Sequence, residues 1–128
     1  VPLDATHHAY VTGSELEKIK ASGSRAALAT YELVKGRIKG YSAWQKMEVE
    51  DAAPIHDALC IAYLLDSSVL KDVREIPVDV DFSGGPCDGM TICDVDGRNK
   101  KRKPNCSFAF SADREKFVDI LTRVLSRA

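Results

Sequence analysis

The stretch Ala53-Pro54-Ile55-His56-Asp57-Ala58-Leu59-Cys60-Ile61-Ala62-Tyr63-Leu64-Leu65-Asp66 decides how the chain is read. After the His56-Asp57 pair it is apolar on nearly every side, which predicts a helix buried on most of its surface. Cys60 falls inside that run, where a free, buried thiol is expected. An Asp at the start of such a helix reads first as an N-cap accepting backbone N–H bonds. The chemical alternative makes Asp57 a ligand for a hard cation and His56 a general acid or base beside it.

Upstream, residues 2–11 alternate loosely and predict an N-terminal strand ending at Thr12-Gly13-Ser14. Ser14 and Glu17 form a capping-box pattern for a short helix, which Ser22-Gly23-Ser24 breaks. From Arg25, Ala27, Tyr31, Val34, Ile38 and Tyr41 recur on one face of a second helix, interrupted by Gly36 and ended near Gly40. Residues 42–54 read as irregular and hold the single Trp, Trp44. Tyr41 and Trp44 stand just before that segment, placed either to close the helix end against the core or to stack on a planar ligand.

Downstream, Ile76, Val78, Val80 and Phe82 alternate with polar residues as a strand with one wet face. Met90–Val95 is a second strand, and Cys106, Phe108 and Phe110 mark a third. Ser111 or Asp113 caps a last helix with Phe117, Ile120, Leu121, Val124 and Leu125 on its core face. The expected class is α/β: one N-terminal strand, three to four helices and a three-stranded, mostly antiparallel segment. Asp94-Val95-Asp96-Gly97 opens like a calcium loop, but Lys100, Lys101, Arg102 and Lys103 follow where oxygen ligands would be needed. That run reads as a charged loop.

At 128 residues there is room for one core, so residues 1–128 are expected to form a single domain or the C-terminal portion of a larger one. Eighteen Lys and Arg against 19 Asp and Glu leave a net charge of −1, too balanced for a surface built on phosphates, so no nucleic-acid partner is expected. No apolar run is long enough to cross a bilayer, and no basic-then-apolar leader opens the sequence. Four cysteines without zinc spacing predict reduced thiols and a cytoplasmic protein.

The His56-Asp57 stretch closely resembles the His-Asp-Pro-x-x-x-Ala-Tyr-Leu-x-Asp segment of the nucleoside N-ribohydrolases, the inosine-uridine-preferring nucleoside hydrolase family, with Ala58 in place of Pro. Pro2-Leu3-Asp4-Ala5-Thr6 is similar to that family's Pro-Leu-Asp-Val-Thr strand. Phe108–Leu125 is similar to its last strand and helix. The resemblance implies hydrolysis of the N-glycosidic bond of ribonucleosides in purine and pyrimidine nucleoside metabolism. It implies that Asp57 is a Ca²⁺ ligand and that His56 protonates the departing base; Tyr41 and Trp44, as aromatics able to stack on a nucleobase, are the candidate substrate-binding residues. The family's Asp-x-Asp-x-Gly-x-Asp-Asp motif does not occur here. The chain therefore reads as a C-terminal portion, inactive alone, with Ca²⁺ not held tightly by these residues. Its expected partners are a ribonucleoside, the N-terminal half and further copies of itself. The alternative is a non-catalytic ligand-binding or assembly domain derived from that fold.

Overall fold

The computed structural model describes residues 1–45 and 47–127. A helical turn, α1 (Leu3–Thr6), leads into strand β1 (Tyr10–Thr12), then helices α2 (Gly13–Lys20) and α3 (Arg25–Trp44). Strand β2 (Ala52–Pro54) precedes helix α4 (His56–Leu65), and a 3-10 turn at Ser67–Val69 opens strand β3 (Leu70–Ile76). Strands β4 (Val78–Val80), β5 (Thr91–Cys93) and β6 (Cys106–Ala112) follow, and helix α5 (Arg114–Leu125) ends the chain. The strands form three antiparallel pairs, β1 with β2, β3 with β6 and β4 with β5. The α/β class with antiparallel strands is as the sequence predicts. The C-terminal strands, however, divide into two separate ladders rather than one run of three.

One core joins these layers. Val11 of β1, Tyr31, Val34 and Ile38 of α3, Leu59 and Ala62 of α4, and Phe117 and Ile120 of α5 pack into a single buried cluster. Asp113 caps α5 by accepting from the Lys116 N–H at 3.1 Å, so of the two candidate caps it is Asp113 that acts.

Several local expectations are corrected. Residues 3–6 are helical rather than extended, because the Pro2 carbonyl accepts from the Ala5 and Thr6 N–H groups; the N-terminal strand is confined to β1. The capping box of α2 is Thr12 with Glu15, two residues earlier than Ser14 with Glu17. Thr12 N–H donates to Glu15 Oε2 at 2.9 Å, while Glu17 accepts instead from the Tyr31 hydroxyl at 2.6 Å. Helix α3 runs through Gly36 and Gly40 to Trp44, since burial of Tyr31, Val34 and Ile38 outweighs a propensity cost of about 1 kcal/mol per glycine. The end of the supposedly irregular segment pairs as β2, Val11 facing Ala53.

Helix α4 departs most from expectation. Leu59 and Ala62 are buried, but Ile61 and Leu65 are each 59% exposed and Leu64 77%. Cys60 is exposed as well. The helix packs one narrow stripe inward and leaves an apolar side facing out, beside an apolar cleft of about 180 Å³ against α5. Among the described residues, no helix is long and apolar enough to cross a membrane.

Acidic and basic side chains brace the outer loops. Arg98 pairs with Asp96 at 2.8 Å and Arg102 with Asp79 at 2.6 Å. Asp94 accepts from the Arg98 and Asn99 N–H groups, a turn completed by Gly97 at φ +61°. The aspartates that open like a calcium loop are thus spent on the turn itself.

Glu15 ties the two ends of the chain together. Its carboxylate also accepts from Arg114 at 2.6 Å, and that guanidinium lies 4.2 Å from the centre of the Tyr10 ring. Burial alone would raise the carboxyl pKa, but the hydrogen bonds from Thr12 and Arg114 and the Arg114 charge outweigh it and hold it below its ordinary value. A depressed carboxyl contributes stability that is present above its unfolded pKa and lost as pH falls through the folded one. Glu15→Gln should therefore cost about 1.5–3 kcal/mol at neutral pH. The gap to the parent should narrow on acidification below the ordinary carboxylate range, as followed by urea denaturation at a series of pH values.

Candidate functional site

His56 is the first residue of α4 and follows directly on β2. The β1–β2 pair fixes its approach, and the Ile55 N–H donates to the Ala9 carbonyl at 2.9 Å. From that point both ring nitrogens meet hydroxyls. Nδ1 lies 2.7 Å from Thr6 Oγ1, and Nε2 lies 3.0 Å from the Tyr41 hydroxyl. Thr6 is 3% exposed and its hydroxyl also donates to the Leu3 carbonyl at 3.4 Å. In the neutral ring one nitrogen donates to its hydroxyl and the other accepts from its own, so Thr6 and Tyr41 together hold a single tautomer. The contacts form one chain from Tyr41 through His56 to Thr6, whose hydroxyl also lies against the Leu3 carbonyl.

The surroundings disfavour a charged imidazole. Burial is the largest influence, followed by the positive charges of Arg37 and His7, and the nearby Asp57 carboxylate opposes them; the net effect lowers the His56 pKa. The His7 ring centre is 5.7 Å from that of His56, tilted by 41°. Asp57 sits in the first turn of α4, where the helix dipole favours a carboxylate. It is exposed, and α4 has no side-chain cap: the N-cap position is Ile55, so the capping reading of Asp57 does not hold.

His56 and Asp57 open onto a cavity of about 690 Å³ that is also lined by Arg37, Ile55, Leu33 and Leu121. Tyr41 reaches the site through its hydroxyl, half-buried against the core. Trp44, at the end of α3, is 92% exposed, so it does not close that end against the core. Neither aromatic is among the residues lining the cavity. Thr6 and Arg37 are parts of the site that residue spacing does not reveal.

A calcium ion takes six to eight oxygens. Among the described residues no group of three or more His, Cys, Asp or Glu side chains could hold a metal ion. The single exposed carboxylate of Asp57 does not make a calcium site on its own.

The family profile described as inosine-uridine preferring nucleoside hydrolase matches residues 1–119. The chain belongs to this nucleoside hydrolase family. It is 33% identical over 129 residues to the inosine-uridine preferring nucleoside hydrolase of Crithidia fasciculata, covering 99% of this chain and 39% of that protein. It is 32% identical over 126 residues to the pyrimidine-specific ribonucleoside hydrolase RihA of Klebsiella pneumoniae, covering 97% and 39%. Two solved structures share its fold. A plant nucleoside hydrolase superposes with a TM-score of 0.84 at 23% identity, over 100% of this chain and 41% of the other. The purine-preferring ribonucleoside hydrolase from Gardnerella vaginalis gives 0.77 at 24% identity, over 98% and 38%. This nucleoside hydrolase chain thus spans about two fifths of the length of the relatives it matches.

Proposed function

We propose that the chain is the C-terminal portion of a ribonucleoside hydrolase, cleaving the N-glycosidic bond to free base and ribose once an Asp-rich N-terminal part completes the site. The observation that carries this reading is the His56 imidazole, held at both nitrogens by Thr6 and Tyr41, beside Asp57 at the mouth of a cavity. Cleaving this bond places negative charge on the departing base, which a proton donor relieves. His56 takes that role, and its lowered proton affinity makes its protonated form the stronger acid. Tyr41 and Trp44 are assigned to contacts with the substrate. Asp57 offers one carboxylate toward a calcium ion whose other oxygens would come from outside these residues. The substrate class is a ribonucleoside, in keeping with the names of the relatives, and the setting is the cytoplasm.

The bare apolar side of α4 favours a second reading, a non-catalytic assembly domain that forms homo-oligomers through that side. One assay separates the two. The 128-residue chain is incubated with inosine or uridine and Ca²⁺, alone and mixed with the N-terminal three fifths of the Crithidia fasciculata relative, and free base is measured. Hydrolysis in the mixture and none from the chain alone is the expected result. No hydrolysis in either, with sedimentation showing a stable oligomer of the chain, would overturn the enzymatic reading.

A further inference from the structure

We infer that Arg37 is a positioning residue for the His56 site, clamping the Tyr41 ring and the strand end before His56 in one fixed geometry. The guanidinium does two things at once. Its Nε–H donates at 3.0 Å to the carbonyl of Pro54, two residues before His56 at the end of β2. Its Cζ also lies over the Tyr41 ring, 5.3 Å from the ring centre. The same Tyr41 meets His56 Nε2 through its hydroxyl at 3.0 Å. Arg37 therefore touches both routes by which His56 is held from this side: the backbone that carries it and the phenol that meets it.

An arginine on an outward helix position ordinarily sends its head group to water. Here the head group turns across α3 onto β2 and lines the cavity into which His56 and Asp57 open. A fork that donates from one nitrogen while its charge centre stays over an aromatic ring is a task for arginine; the compact ammonium of lysine supplies the charge without the fixed fork. The lowered proton affinity of His56, to which Arg37 contributes after burial, is a second consequence of the same closeness. The inference rests on the reading of His56 as the proton donor for its purpose, but not for its test.

The clamp is read on the chain itself by nitrogen-15 spectra of the imidazole, at a pH above the histidine range so that every ring is neutral. In the parent, His56 shows a single tautomer. In Arg37→Met the Tyr41–His56 geometry loosens and the signals move toward a mixture of both tautomers. Arg37→Lys restores at most part of the parent signature, and Lys35→Met, on the same helix against Tyr31, leaves it unchanged. If Arg37→Met fails to fold, Arg37→Gln is used, with the same loss expected. The parent's single tautomer kept in the Met or Gln variant, or an Arg37→Lys spectrum identical to the parent, would overturn the clamp. In the completed enzyme, Arg37→Met should lower kcat by about tenfold to a hundredfold with little change in KM, as misplacement of a catalytic group does. If no mixture hydrolyses nucleosides, the enzymatic reading falls, and the tautomer spectra still decide the role of Arg37.

Discussion

His56→Ala should lower kcat of the completed hydrolase by about 10²–10⁴-fold, the usual worth of one positioned general acid, with KM changed far less. The separation of the two constants follows from what His56 touches. In the proposed reaction its part is proton movement rather than holding the resting substrate, because Thr6 and Tyr41 already meet both ring nitrogens in the resting state. Loss of the ring should also leave the fold in place, since the half-buried imidazole is outside the apolar cluster that joins α3, α4 and α5. Steady-state kinetics with inosine and uridine, together with a denaturation curve, check both halves. An activity unchanged by the substitution would remove His56 from the reaction.

Phe117→Ala should cost about 3–5 kcal/mol, enough to unfold much of a population whose total stability is about 5–15 kcal/mol. Phe117 is fully buried on α5 and belongs to the same cluster as Leu59 and Ala62 of α4. It also floors the apolar cleft between those two helices, so its removal deepens a cleft that already admits solvent. Urea denaturation should show a midpoint reduced by about a fifth or more with an unchanged m-value. A change within 1 kcal/mol, as at an ordinary surface position, would contradict the placement of this ring in the core.

Elements whose apolar pattern is matched by their burial were legible in the sequence. Helix α5 is such a case at Phe117 and Ile120, one turn apart on the buried face, although Val124, expected on the same face, is 45% exposed. Strand β3 was not legible, because between Leu70 and Ile76 its residues are exposed and no alternation marks it. Its extended state comes from pairing with β6, residue 70 facing residue 112. Helix α4 was legible as a helix but not in its exposure, since composition records what a surface would bury and not what lies against it. In the site, His56 and Asp57 were found through their motif, and Tyr41 through its place at a helix end. Thr6 escaped because its bond to His56 spans 50 positions of chain, and Arg37 because an arginine on a helix surface carries no signal of where its head group turns.

The bond from Arg114 to Glu15, together with the Ser24 hydroxyl donating to the Leu125 carbonyl, has a kinetic meaning. The two contacts join residues 99 and 101 positions apart. Closing a loop of that size costs about 4 kcal/mol of chain entropy before any contact repays it. Docking of α5 onto α2 and the start of α3 is thus among the long-range contacts of the fold, whose closure chain entropy makes costlier than that of the local helices. Until α5 docks, Val11 and Leu59, which share one buried cluster with Phe117 and Ile120, lack that side of their packing.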